Sequence, residues 1–174
     1  RLFALEDHLQ RFERSLKEIQ ITNIDIEDIR QKIEKAFSEA KIDDAKIYFH
    51  VTRGSATRTH GASDTLVPNF FMTITEIEDA TDQKQNGIKV STFPDWRWKR
   101  CDIKSLNLLA NVLAKTDAEK KGCAEAILVN DDNLITEGSA SAFFAIIAGE
   151  LIVHPLGMDI LPSITRKVTL QIAK

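Results

Sequence analysis

Apolar residues along this chain follow two rhythms, and the switching between them predicts the order of elements. Leu2 to Leu5 opens as a short, strand-like stretch; from Leu9 the apolar positions Leu9, Phe12, Leu16 and Ile19 step at three and four, the period of an amphipathic helix. His8 and Arg11, three apart, share one face of it. The pattern breaks at Thr22-Asn23-Ile24-Asp25, where Asp25 is the expected N-cap, with Asp28 three residues on, of a second helix over 26–40. Strands are expected at 46–52 and 69–76, flanking a loop that runs from Arg53 to Gly61.

Between Glu76 and Gly87 the chain turns polar and acidic, the one stretch with the composition of a linker. It divides the sequence into an N-terminal α/β lobe over 1–80, a connection at 81–87 and a C-terminal lobe over 88–174. In the second lobe a strand is predicted at 88–93, a turn at Pro94-Asp95, and a mostly extended stretch from Trp96 to Ile103 that ends at Lys104. Leu106, Leu109, Val112 and Leu113 return at helical spacing, with Ser105 as the expected N-cap and Lys120-Lys121-Gly122 as the stop. Strands at 123–129 and 133–136 are joined by the hairpin signal Asn130-Asp131-Asp132. A similar pair, 140–147 and 151–154, surrounds Ala148-Gly149-Glu150, and Pro162-Ser163-Ile164-Thr165 opens a last helix. The class is α/β, in the α+β sense.

Composition narrows the partners more than the fold. At 43% hydrophobic and 28% charged, with only seven Gly and four Pro in 174 residues, the chain can bury a core and is not a disordered segment. A formal charge of −3, with Lys and Arg scattered among acids, leaves no basic footprint for nucleic acid or an anionic membrane. No apolar run nears the roughly 18 residues of a spanning helix. Cys101 and Cys123 lack CxxC or zinc-type spacing, so they read as reduced, buried thiols in a cytoplasmic protein, and no metal site is expected. The chain starts at Arg1 and stops at Lys174 inside an expected helix, which suggests a piece truncated at both ends.

The chemistry gathers in the second lobe. A lysine at a strand end, backed by one carboxylate and followed by an apolar helix, can be held partly desolvated, and thus be a usable amine at neutral pH; Lys104 is a candidate for Schiff-base chemistry with a carbonyl. Glu137 ends a hairpin strand, hydroxyls follow it, and Ser163 and Thr165 sit at a helix N-terminus, whose N–H groups and dipole favour phosphate. Amine, carboxylate and phosphate cradle together suit a phosphorylated aldehyde with a protonatable ring nitrogen.

Three motifs carry a resemblance. Arg-Cys-Asp-Ile-Lys-Ser-Leu-Asn-Leu-Leu at 100–109, Thr-Glu-Gly-Ser at 136–139 and Ile-Leu-Pro-Ser-Ile-Thr-Arg at 160–166 resemble, in order and spacing, the fold-type IV pyridoxal-phosphate aminotransferases. Val51-Thr52-Arg53-Gly54, followed by Arg58-Thr59-His60, resembles the D-amino-acid aminotransferase branch.

The resemblance implies a two-lobed enzyme with a small N-terminal α/β lobe, a larger C-terminal lobe with a barrel-like sheet, and pyridoxal 5'-phosphate between them. It implies that Lys104 holds the cofactor and shuttles the proton, that Glu137 faces the ring nitrogen, and that Arg11, Ile164 and Thr165 bind the phosphate. Leu161 packs on a ring face, and Ser139 and Ser141 line the pocket; Ala140 and Ala142 stand where polar residues are often found. The resemblance further implies that Arg58 and His60 form the trap for the substrate carboxylate, reaching into the neighbouring subunit's pocket of a homodimer. Tyr48 is expected to face the pocket or its rim, or to pack in the core. The implied reaction moves an amino group between a D-amino acid, such as D-alanine, and a 2-oxo acid, such as 2-oxoglutarate. A branched-chain L-amino-acid aminotransferase and an aminodeoxychorismate lyase share the fold and are the near alternatives. A non-catalytic fragment is the alternative of another class.

Overall fold

The computed structural model describes residues 2–61 and 65–173, so the expectations about Arg1 and Lys174 lie outside the described residues. The chain groups into two compact units, one of residues 12–80 and the other of residues 1–11 with 81–174. The first eleven residues thus join the C-terminal group.

Helix α1 (Leu5–Glu18) begins in the larger unit. Glu6 and Asp7 in its first turn and Lys17 in its last complement the helix dipole. The strand-like opening expected at Leu2–Leu5 is instead a turn, with Ala4 at φ 47°, that leads straight into this helix. Its apolar stripe is real, with Leu9 and Leu16 buried. The helix ends before Ile19, where Gln20 turns left-handed at φ 58° and the Ile21 N–H reaches back to Leu16 O at 2.9 Å.

In the smaller unit, α2 (Ile26–Ala40) buries Ile29 and Ile33. Asp25 caps it as expected, accepting from the Glu27 N–H at 2.9 Å and the Asp28 N–H at 3.4 Å. Strands β1 (Ala45–Thr52) and β2 (Asn69–Glu76) pair antiparallel, Ala45 opposite Glu76 and Thr52 opposite Asn69. This register gathers Ile47, Phe49, Val51, Phe70, Met72 and Ile74 on one face, where Phe12 meets Phe49 edge-on at 5.1 Å between ring centroids. Tyr48 and His50 lie on the opposite face beside Phe71, and Tyr48 is exposed, so core packing is not its role. The loop after β1 starts with Arg53, whose guanidinium donates to the carbonyls of Ile19 and Gln20 just past the end of α1.

The larger unit begins with a short helix, α3 (Thr81–Asn86), inside the stretch read as a linker. β3 (Val90–Pro94) then pairs parallel with β4 (Glu125–Val129), and α4 (Leu109–Lys120) forms the crossover between them. β5 (Ile135–Gly138) returns antiparallel to β4, with a bulge between Ile127 and Val129. Ala114 and Ala118 of α4 are fully buried against Ala126 and Leu128, flanked by Phe93 and Cys123. Small side chains let the helix approach the sheet, and this reverses the apolar face read from the sequence: Leu109, Val112 and Leu113 point outward and are exposed. β6 (Ala145–Ile147) and β7 (Glu150–Ile152) form a separate hairpin, turned through Ala148 and Gly149, both at positive φ. Among the described residues the barrel-like sheet is represented by this three-stranded sheet and hairpin. Helix α5 (Ile164–Ile172) follows, capped by Ser163, which accepts from the Arg166 N–H at 3.2 Å.

Two expectations around Lys104 change. The stretch 95–108 is an irregular loop, not a strand. Ser105 does not cap α4: the helix starts at Leu109 behind Leu108, which offers no side-chain cap, while the Ser105 hydroxyl accepts from the Asn107 N–H at 3.3 Å. Cys101 and Cys123 are free thiols, each half-buried instead of fully buried.

Candidate active site

A cavity of about 640 Å³ opens in the larger unit, lined by Arg11, Lys104, Glu137, Ser139, Ser141, Leu161, Ile164 and Thr165 together with residues that the sequence reading did not select. Arg58 and His60 stand on the exposed loop of the smaller unit. Of the ten expected site residues, the structure therefore gathers all but those two around one space.

Lys104 is set by its neighbours on the loop. Ile103 is buried, its N–H bonds Arg100 O at 3.2 Å, and the Asp102 N–H bonds Met158 O at 3.2 Å. Arg100 Nε closes on Asp102 Oδ1 at 2.9 Å. Lys104 keeps surface open to the cavity, yet burial of the amine lowers its pKa, the positive charge of Arg11 lowers it further, and Glu137 pulls the other way. At a given pH a lowered pKa means a larger neutral fraction, the form that can take a proton or attack a carbonyl.

Glu137 lies in β5 and is buried. Arg97 Nη1 donates to its Oε2 at 2.5 Å and the Leu161 N–H donates to the same oxygen at 3.2 Å, which leaves Oε1 to accept from a donor in the cavity. Burial raises the pKa of Glu137; the Arg97 and Leu161 bonds oppose it without cancelling it.

Arg97 is the hub that the sequence reading missed. Its Nε and Nη2 fork onto Asp95 at 2.9 and 2.8 Å, and Nη2 also reaches Asp159 O at 3.0 Å. The Thr136 hydroxyl donates to Asp95 Oδ2 at 2.6 Å. Burial tends to raise the Asp95 carboxyl, but the Arg97 and Thr136 bonds with the guanidinium charge outweigh it and hold the pKa below the usual range. Asp95-x-Arg97 spacing was the available local signal; the partner at 137 was not visible from it.

The α5 end of the cavity is built for an anion. The first N–H groups of a helix have no partner inside it, and Ile164 and Thr165 begin this one at the cavity wall. Arg11 Nη1 donates to Pro162 O at 3.0 Å, which ties the guanidinium to the approach to α5. Arg166, also in the wall, is buried; its Nη2 donates to His154 O at 2.9 Å, while its Nε has no hydrogen-bond partner among the described residues. His8 lines the same space, and burial followed by the Arg11 charge lowers its pKa.

Ser139 and Ser141 line the cavity, but both hydroxyls donate to Glu125, another residue not selected from sequence. Cys101 is in the wall too. Its thiol donates to Trp98 O at 3.0 Å, and burial pushes its pKa up to about 11. Among the described residues there is no cluster of side chains suited to a metal ion, and no helix long and apolar enough to cross a membrane.

Comparison with known proteins gives this geometry a family. The family model for class IV amino-transferases matches residues 1–174. D-alanine aminotransferase from Staphylococcus epidermidis is 39% identical over 176 residues, covering 100% of this chain and 62% of that protein. The Bacillus licheniformis D-alanine aminotransferase is 35% identical, covering 99% and 61%. The chain thus spans about three fifths of the length of the curated relatives it matches. A branched-chain aminotransferase from Thermoproteus uzoniensis shares the fold, with a TM-score of 0.84 at 23% identity over 98% of this chain and 59% of that one. The α/β architecture is that of the fold-type IV enzymes, and the chain belongs to the class IV aminotransferase family.

Proposed function

We propose that the protein is a pyridoxal-phosphate-dependent transaminase acting on D-amino acids such as D-alanine and 2-oxo acids such as 2-oxoglutarate. The observation that carries the reading is the convergence of Lys104, Glu137, Arg11 and the start of α5 on one cavity, in a chain 39% identical throughout to D-alanine aminotransferases. The donor set fits the cofactor: an amine for its aldehyde, Glu137 Oε1 for its ring N–H, and Arg11 with the Ile164 and Thr165 N–H groups and the Thr165 hydroxyl for its phosphate. The buried, unpartnered Arg166 Nε adds a donor in the same wall. Leu161 supplies an apolar contact for the ring.

When bound, the cofactor supplies a carbonyl for the substrate's amino group and a ring that takes up the electron pair left when Cα loses its proton. Lys104 Nζ removes that proton and returns one on the way to the oxo acid, a role that its lowered pKa supports. Glu137 keeps the ring nitrogen protonated. Arg58 and His60 hold the substrate carboxylate, two donors two residues apart that fix which face of Cα is presented.

In this reading residues 81–87 are the connection between the two lobes, and the protein works as a homodimer whose sites are shared between subunits. The exposed Leu109, Val112 and Leu113 support a covered face. The two free thiols support a cytoplasmic location.

Lys104→Ala tests the assignment. The full chain with added pyridoxal phosphate should show a borohydride-sensitive visible band and convert D-alanine to pyruvate; the variant should lose both, by at least about 1,000-fold in the half-reaction. Full activity in the variant overturns the reading. L-leucine as the better donor transfers the protein to the branched-chain class, pyruvate release from aminodeoxychorismate to the lyases, and absence of any band to a non-catalytic role.

A further inference from the structure

Glu125 opens β4 half-buried, and among the described residues no cation pairs with it. Neutral donors surround it instead. The Ser139 hydroxyl donates to Oε1, the Ser141 hydroxyl to Oε2 at 3.0 Å, and the Ala126 N–H to Oε1 at 2.9 Å. Burial tends to raise its pKa, but these bonds together hold it below the ordinary range, so the network is one of an ionised acceptor.

The turn that carries the serines is wrapped on this carboxylate. The Gly138 N–H bonds Ser141 O at 2.8 Å, the Ser139 N–H bonds Ala126 O at 2.9 Å, and Asn111 Nδ2 donates to Ser139 O at 2.7 Å. Gly138 leaves room for the wrap: a Cβ there would stand 2.2 Å from Ser141 Oγ and 3.3 Å from Glu125 Oε2.

A serine hydroxyl has one proton to give. While Ser139 and Ser141 give theirs to Glu125, they show the cavity only lone pairs, which cannot donate to an anionic phosphate. Turning either proton into the cavity would strip a charge-assisted bond from a half-buried carboxylate. We infer that Glu125 is a positioning residue: by taking both serine protons it fixes the 137–141 turn, and with it the place of Glu137, and the two serines act through Glu125 instead of as direct ligands of the phosphate.

This rests on the proposed cofactor site and makes a prediction of opposite sign to the alternative. If the serines were direct phosphate donors, Glu125→Gln would remove a nearby negative charge, release their protons and tighten binding. Positioning requires that it weaken binding, with the dissociation constant for pyridoxal phosphate, read by fluorescence titration, rising at least about tenfold. In a chain already carrying Ser139→Ala and Ser141→Ala, the same change should add less than about twofold, because the pathway is gone.

Amide hydrogen exchange in the cofactor-free full chain gives an independent readout. Residues 138–141 should exchange at least about tenfold faster in Glu125→Gln, with α2 unchanged. If Glu125→Gln does not fold, Glu125→Asp keeps the charge but withdraws it by one methylene, and should move exchange and affinity in the same directions. Unchanged exchange, unchanged or tighter binding, or full additivity with the serine variants overturns the inference. A wild-type chain that takes up no pyridoxal phosphate defeats the proposed function, while exchange at 138–141 still decides whether Glu125 holds the turn.

Discussion

Helix α2 and the loop 95–108 are stretches of similar length held in place by opposite means. α2 is specified by its own residues: Asp25 caps it, Glu27 pairs with Arg30 at 3.1 Å, Asp28 pairs with Lys32 at 2.5 Å, and Ile29 and Ile33 supply its buried stripe. The loop has no repeating pattern, and its shape comes from distant partners: Arg97 on Glu137, Thr136 and the Asp159 carbonyl, and the Asp102 N–H on Met158 O. Many small local terms make a helix that no single change removes, whereas a few buried, charged, long-range terms make a loop that one change can undo.

The sharpest break is Arg97→Met. It leaves Asp95 and Glu137 buried without their cation, so stability measured in urea should fall by about 3–5 kcal/mol. A loss below about 1 kcal/mol would mean that the loop is held otherwise.

Asp95→Asn should cost about 2 kcal/mol, as expected for removing the charge from a hydrogen-bonded buried carboxylate. Its pH dependence has a definite sign. The folded pKa of Asp95 is lowered, so its contribution is present above the unfolded value near 4 and is lost as pH falls through the folded value. Glu137, raised in the folded state, runs the other way: its ionisation disfavours the fold as pH rises past the unfolded value. Asp95→Asn should therefore flatten the loss of stability in acid that the wild type shows in urea melts below about pH 4.

In α2 the corresponding effects are smaller. Asp25→Ala should cost about 1 kcal/mol through two lost cap bonds. Lys32→Ala should cost no more than about 0.5 kcal/mol, because both partners are half-exposed, and added salt should erase most of the difference.

Legibility in the sequence follows the same division. The Asp25 cap, the bounds of α2 and β2, and the helix stop at Gly122, which takes φ 70°, all rest on neighbours in the chain and could be read from it. Lys104, Glu137 and the start of α5 were selected by motif, and the structure places them around one cavity. What could not be read depends on contacts across many residues. Arg97 finds its carboxylate 40 positions away and Glu125 its serines 14 and 16 away. The outward turn of Leu109 and Val112 follows from Ala114 and Ala118 fitting closer to the sheet than leucine can, a matter of packing that periodicity does not weigh.

Cys101 bears on chemoselectivity. A carbonyl compound entering the cavity meets two side chains able to add to it, an amine and a thiol three residues apart. The wall moves their pKa values in opposite directions, lowering that of the Lys104 ammonium and raising that of the Cys101 thiol to about 11. Each shift favours nitrogen over sulfur as the nucleophile. A thiol kept protonated and tied to the Trp98 carbonyl is also a poor target for peroxide, so the same burial that steers the carbonyl to the lysine protects its neighbour from oxidation.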